Sequence, residues 1–405
     1  MILAVVILSL LILYSAYSIH STYRYHRQLT QIPHRIHVNG ISGKSSVTRL
    51  IAAALRESSI PTIAKTTGTA ARIIIDHQTD LPIARKEADI AEQRKTLSRY
   101  IGNKPVPYTG KPYQAIVFEC MAINPIYQRY LETKVMRSTI GVITNVREDH
   151  MDLLGKTLPE IAQNLSATIP TNGHLVTAET DPELLAIFRS VCATRNTQLH
   201  AVGTMYVGRN HMKQFGHFEY TQNVAIAIKV AALVGVDRST AIKGMQQAQP
   251  DPGAFRLQTI PMPARTLHWA NLFAVNDRES FVETARTLHT FVGKRTKKAV
   301  ILNNRHDRPE RVAQFVNICL NDIAADYIIT FGDYEKRVAK EIAKHSSVKT
   351  KVIYMGNSTK FKDATGDELF NEIRKRVRAK QCILYGTVNI HTNQARALLE
   401  KIESL

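Results

Sequence analysis

The segment Gly40-Ile41-Ser42-Gly43-Lys44-Ser45-Ser46 gathers two glycines, a lysine and three hydroxyls. That set suits a phosphate. Glycines let backbone N–H groups curl around phosphate oxygens, and a helix opening at Lys44 adds the positive end of its dipole. Lys44 is placed to reach the β- and γ-phosphates of a nucleotide, and the Ser45 hydroxyl to join a Mg²⁺ shell. A full Walker loop wants a further glycine where Val38 stands, so the shorter G-x-x-G-K-S remains. A glycine-rich helix start without a ligand is the competing reading.

Two more clusters carry candidate chemistry. Glu119 sits at the end of the apolar run Ala115–Cys120. An acid at the carboxyl edge of a parallel sheet faces the ligand crevice, and its oxygens suit Mg²⁺. An edge acid that caps a helix is the alternative. Thr144–Asp152 (TNVREDHMD) follows another apolar run. His150 within it is a candidate for a metal or a transferring phosphoryl group, against a purely structural histidine.

These residues need strands to deliver them and helices to open behind them. Arg35–Asn39 reads as a strand and Lys44–Glu57 as a helix. Ala115–Cys120 and Ser138–Thr144 read as buried parallel strands, with helical patterns over Leu158–Thr168 and Asp181–Asn196. The alternation predicts an α/β protein with a mostly parallel sheet. The Pro-rich stretch Gln249–Arg265 breaks the rhythm. Strands near Ala299–Leu302, Tyr327–Thr330, Lys351–Tyr354 and Cys382–Tyr385 then predict a second, smaller α/β unit.

Ile2–Ile19 contains no formal charge. As a helix it would be about 27 Å long, near the roughly 30 Å of a bilayer core. Arg24, Arg27 and Arg35 follow it and no Lys or Arg precedes it, which predicts a single-pass anchor with the body in the cytoplasm. Tyr14, Tyr17, Tyr23 and Tyr25 suit the headgroup zone. A cleaved signal peptide would want a basic start and a small-residue cleavage site, and all-round apolarity at an extreme terminus argues against a buried core helix. The expected organisation is an anchor over residues 1–20 and a basic juxtamembrane linker over 21–34. A central nucleotide-binding domain over 35–250, a linker over 251–265 and a C-terminal Rossmann-like domain over 266–405 follow.

Composition narrows the class. The 405 residues include 53 Lys+Arg and 34 Asp+Glu, a formal charge of +19, with 44% hydrophobic residues. That excludes a disordered or collagen-like chain. Cys120, Cys192, Cys319 and Cys382 form no CxxC pair, so no zinc ribbon or disulfide framework is expected. The charge points to nucleic acid, an anionic membrane or an anionic substrate. The basic stretches Arg85–Lys104 and Arg374–Lys380 lack the interleaved aromatics of a single-strand binder, so nucleic acid is not an expected partner.

The run His37–Ser46 (HVNGISGKSS), the strand ending at Glu119 and Asn145–Asp152 (NVREDHMD) resemble the Mur ligase superfamily of ATP-dependent amide ligases. Within it, Ala64–Ala70 (AKTTGTA), Glu119–Pro125 (ECMAINP) and Thr139–Asp152 are similar to the B subunits of capsule poly-γ-glutamate synthetases. The resemblance runs from about Arg35 to the C-terminus. It implies a membrane-anchored ligase that polymerises glutamate into γ-linked polyglutamate for a capsule. The implied route is an acyl phosphate, with release of ADP and phosphate.

The resemblance also implies roles. ATP and Mg²⁺ are the implied cofactors, with Gly40, Ser42, Gly43, Lys44, Ser45 and Ser46 at the phosphates and Ser45, Glu119 and His150 at the metal. Lys44, Glu119, His150 and Arg256 form the implied catalytic set, Arg256 standing in Pro252–Arg256 (PGAFR) for a phosphate arginine. Asn223 falls at the adenine and Asp277, in Ala274–Ser280, at the ribose. Leu165 stands where many of these ligases carry a carbamylated lysine. A helix replaces the superfamily's N-terminal substrate domain, which points away from a UDP-linked peptidoglycan substrate. Implied partners are glutamate, polyglutamate, the membrane and small membrane subunits of capsule synthesis, in a homo-oligomer or hetero-complex. Arg72, Arg85, Arg94 and Arg99 are candidates for a face toward the polyanion. The rival readings are a ligase for another amino acid and a membrane-anchored ATPase that drives polymer export.

Overall fold

Strand β1 (His34–Asn39) lies inside a sheet of eight, and the whole first unit is arranged around it. The computed structural model describes residues 2–405 except 68–70, 77–78, 85–88, 103–105, 107–108, 204–206, 208–211, 213, 216–218, 251–256, 263, 274, 276–277, 294, 310, 346–349, 388–389 and 391. It divides into two units, Met1–Pro252 and Gly253–Leu405.

In the first unit the remaining strands are β2 (Thr62–Thr66), β3 (Arg72–Ile74), β4 (Asp80–Pro82), β5 (Ala115–Glu119), β6 (Ile140–Ile143), β7 (His174–Thr177) and β8 (Gln198–Ala201). Their order is β4-β3-β2-β5-β1-β6-β7-β8. From β2 to β8 every neighbour is parallel, and β3 and β4 add an antiparallel edge. Parallel strands covered on both faces are mostly apolar, and all five residues of β5 are buried, with Glu119 its one charged residue. The register sets Val38 beside Glu119 and Asn39 beside Ile143. The carboxyl ends of β5, β1 and β6 therefore lie side by side, where open α/β sheets bind ligands.

Helix α1 (Ile2–Thr30) is exposed along its apolar first half and docks by its second. It is long and apolar enough to cross a membrane by length and composition. Residues 21–30, expected as a linker, continue this helix without a break. Tyr25, expected among the headgroup tyrosines, is buried and donates to the Val135 carbonyl at 2.8 Å. Leu29 and Ile32 join it in a cluster with Phe118 and, on α3 (Ile90–Tyr100), Leu97. Arg94 of α3 lies over the Tyr25 ring, 5.0 Å from its centroid. Arg94 is thus committed to α1, and Arg72 to Asp80 at 2.6 Å, so neither stands as a free cation toward a polyanion. Arg85 lies outside the described residues.

The second unit has six strands in the order β13-β12-β11-β14-β10-β9. They are β9 (Leu257–Met262), β10 (Arg265–Asn271), β11 (Lys297–Asn304), β12 (Tyr327–Gly332), β13 (Lys351–Tyr354) and β14 (Gln381–Thr387). All pairings are parallel except β9 with β10. Residues 257–262, expected within the linker, form edge strand β9. The prolines there read as breakers, but an edge strand tolerates proline because it lacks a neighbour on one side.

Candidate active site

The phosphate loop joins β1 to α2 (Lys44–Glu57), and its two glycines are forced by their surroundings. Gly40 has φ 125°, and a Cβ there would come within 2.1 Å of Thr144 Oγ1. Gly43 has φ 79°, and its Cβ would meet Asn223 Oδ1 at 2.8 Å. No side chain caps α2. Its first N–H groups face the loop without an intrahelical acceptor, as an anion site requires.

Thr144 and Asn145, just past β6, clamp the loop from the side. Asn145 Oδ1 accepts from the Ser42 N–H at 3.0 Å, and its Nδ2 donates to the Ser42 carbonyl at 3.1 Å. Thr144 Oγ1 donates to the same carbonyl at 2.7 Å. Lys44 Nζ donates to the Gly40 and Ile41 carbonyls at 2.9 and 3.2 Å, so the ammonium already lies over the loop.

Glu119 faces the first turn of α2. Its Oε2 accepts from Ser45 Oγ and from the Thr67 N–H, both at 2.8 Å. Its main-chain carbonyl accepts from Gln93 Nε2 at 3.1 Å. Gln93 Oε1 in turn accepts from Lys65 Nζ at 2.9 Å, and the same ammonium pairs with Glu92 Oε1 at 2.9 Å. Lys65 and Gln93 are both fully buried. Gln93 is not marked by local sequence, and the AKTTGTA run that holds Thr67 does not show its contact; α3 and the end of β2 reach Glu119 only through the fold.

Beneath the loop lies a second polar layer. His37 Nδ1 is 2.8 Å from Glu132 Oε2, and Glu132 Oε1 accepts from the N–H and hydroxyl of Ser138. Burial works against charge on His37, yet contact with Cys120 and the Glu132 carboxylate raises its pKa to about 10. Asn39 Nδ2 donates to Gln128 Oε1 and Thr168 Oγ1. Gln128 and Glu132 lie four residues apart on one helical segment, so both bonds tie that segment to β1.

The other expected residues fall variously. His150 opens the short helix Met151–Leu154 with φ 49°, is half-buried, and lies 3.7 Å from Asp149 Oδ2. Among the described residues no three His, Cys, Asp or Glu side chains gather as a metal cage. Asn223 packs on Gly43 and donates to Glu219 Oε1 at 2.8 Å. Leu165 is buried among Ile161, Leu175 and Phe188, so its site offers packing and no ligand. Arg256 and Asp277 lie outside the described residues. Glu179 is an addition: it accepts from the N–H groups of Val146, Thr180 and Asp181 and so fixes the turn leading to His150.

The donor set fits a magnesium nucleotide. The loop leaves no room for a Cβ, the helix start is uncapped, and a hydroxyl and a carboxylate meet beside it. Both are hard oxygen donors.

This arrangement defines a Mur-ligase-type nucleotide domain. The Mur ligase middle domain matches residues 38–229, and the poly-gamma-glutamate synthase CapB C-terminal domain matches residues 257–405. PGA synthase CapB of Bacillus subtilis (strain 168) is 35% identical over 382 residues, 94% of this chain and 92% of that one. Capsule biosynthesis protein CapB of Bacillus anthracis is 34% identical over 383 residues, 93% of this chain and 78% of that one. The bifunctional folylpolyglutamate synthase/dihydrofolate synthase of Yersinia pestis, complexed with AMPPNP and Mn ion, shares the fold. Its TM-score is 0.61 at 14% identity, over 95% of this chain and 92% of that one. The chain belongs to the CapB family of poly-γ-glutamate synthases.

Proposed function

We propose that this protein is an ATP-dependent amide ligase that extends γ-linked polyglutamate, held at the membrane by α1 with its body in the cytoplasm. The observation that carries the reading is the Ser45–Glu119 contact at the mouth of an uncapped phosphate loop, in a chain of this family. The relatives named CapB and the Mn- and AMPPNP-bound fold neighbour support it.

The loop N–H groups would hold the phosphates of ATP. Lys44 would exchange its two carbonyl partners for β- and γ-phosphate oxygens. Ser45 and Glu119 would hold Mg²⁺, with His150 as a further candidate. When bound, the metal supplies charge that offsets the repulsion between triphosphate and carboxylate. A carboxylate oxygen attacks the γ-phosphorus, the bond to ADP breaks, and an acyl phosphate forms. The incoming amine then attacks the carbonyl carbon, phosphate departs, and a proton leaves the nitrogen. Asn223, Arg256 and Asp277 are candidates for the adenine, phosphate and ribose. Small membrane subunits of capsule synthesis are the candidate partners.

The test is phosphate release by the detergent-solubilised chain with Mg·ATP, with and without glutamate. Glutamate-dependent release of ADP and phosphate is expected, reduced about a hundredfold or more in Lys44→Ala. Formation of AMP and pyrophosphate would sink the acyl-phosphate route. Stimulation by polymer alone would favour an export ATPase.

A further inference from the structure

Arg265, Arg295, Lys297, Arg378 and Lys380 line one groove on the second unit. The groove lies where β10, β11 and β14 begin. Ligands of open α/β sheets bind at the opposite, carboxyl ends of the strands, so this is not a nucleotide crevice. Among the described residues no acidic side chain lines it. Arg265 donates to the Arg374 and Val377 carbonyls at 2.8 and 3.2 Å, which builds one wall. Lys297 pairs with Asp326 at 2.6 Å. Arg295, Arg378 and Lys380 are exposed and enter no ion pair among the described residues.

Arg265 and Lys297 have partners within the fold, but Arg295, Arg378 and Lys380 add three more like charges to the same groove, and no ion pair among the described residues accounts for them. A polyanion does: each contact neutralises a cation and frees a counterion from the polymer. We infer that this groove binds the γ-linked polyglutamate chain at a site separate from the phosphate loop. The inference rests on the ligase reading, which supplies the polyanion, since every added residue leaves one free carboxylate. The exposed Arg295, Arg378 and Lys380 each offer donors to a separate carboxylate, which suits a chain of repeating charge. The lining holds no aromatic side chain among the described residues, which disfavours stacked bases. A chain held here between additions stays on the enzyme rather than returning to bulk solution, so the groove favours long products.

The experiment measures binding of fluorophore-labelled γ-linked polyglutamate to the full chain in detergent at low and high salt. Wild type is compared with the triple variant Arg295→Glu/Arg378→Glu/Lys380→Glu and its glutamine counterpart. Glutamate-dependent phosphate release is followed in parallel. The charge reversal is expected to weaken polymer binding about tenfold or more at low salt and to flatten its salt dependence. The glutamine variant should fall between. Phosphate release with a short acceptor should stay within about twofold while product length drops. Unchanged polymer binding in both variants would overturn the inference. So would a loss confined to vesicles containing anionic phospholipid, or to an oligonucleotide. Release that ignores glutamate in wild type would instead remove the ligase reading, and groove-dependent polymer binding would then still support the groove.

Discussion

Gln93 holds Glu119 by its main chain, with Nε2 donating to the Glu119 carbonyl at 3.1 Å. The direction of that amide is set from behind. Lys65 can only donate, so Gln93 must turn Oε1 to the ammonium and Nε2 to the carbonyl. Glu119 is thus gripped at its backbone by α3 and at its carboxylate by Ser45 and Thr67. Gln93→Glu keeps the partner of Lys65 but turns a donor into an acceptor facing a carbonyl. The expected result is a several-fold higher Mg²⁺ concentration for half-maximal nucleotide binding, with a smaller change in the unfolding midpoint. Titration calorimetry with Mg·ATP reads the first and thermal unfolding the second. An unchanged Mg²⁺ requirement would reduce the Lys65–Gln93 pair to scaffolding.

Gly43 is the tightest test of the loop. Its φ of 79° disfavours any side chain, and a methyl group would sit 2.8 Å from Asn223 Oδ1. Gly43→Ala is expected to cost about 1–3 kcal/mol from backbone strain alone and to abolish tight nucleotide binding. Adding Asn223→Ala removes the steric half of the problem and leaves the strain. The double variant should therefore regain part of the lost affinity, measured by displacement of a fluorescent ATP analogue. No recovery would mean that Asn223 acts through its own contact with the nucleotide.

The loop and helix α2 were legible because their signals are local: glycines at left-handed positions, then a lysine at the helix start. The strands were legible because buried parallel strands read as unbroken apolar runs. The grip on Glu119 was not: Thr67 stands in the AKTTGTA run and Gln93 in no marked run, and neither sequence shows that they reach Glu119 across 52 and 26 residues. The clamp by Thr144 and Asn145 was half-legible: its polar cluster stood out, but toward His150 rather than the loop. Tyr25 misled because a tyrosine after an apolar helix suits a headgroup and a protein groove equally well.

Two histidines give stability opposite slopes with pH. His200 has its pKa lowered to about 4 by burial and by the nearby Lys229 and His174 charges. The unfolded chain binds that proton near 6.5, so stability falls as pH drops from about 6.5 toward 4. His37 has its pKa raised to about 10, so its contribution is complete below 6.5 and is lost as pH rises through about 10. Urea unfolding from pH 4.5 to 10 should show a dome. His200→Gln is expected to flatten the acid limb and His37→Gln the alkaline limb. Identical profiles for both variants would remove these residues from the account.

Helix α1 divides into a part that packs on the protein and a part that does not. Residues 2–20 are exposed along an apolar surface, whereas Tyr25, Leu29 and Ile32 are buried in the cluster that holds Phe118 and Leu97. Removing residues 1–20 should therefore release the chain from membranes and leave the body folded. Removing residues 1–33 strips three side chains from the core and opens it to water. The loss of Leu29 alone is worth about 2–5 kcal/mol, the usual range for Leu→Ala in a core. Membrane flotation separates the two effects from thermal unfolding. The shorter truncation should stay off the membrane with an unchanged melting temperature, and the longer one should melt many degrees lower or aggregate. If residues 1–20 can be removed without release, the membrane is held by another surface. If residues 1–33 can be removed without loss of stability, the docking of Tyr25 on the Val135 carbonyl contributes nothing to the fold.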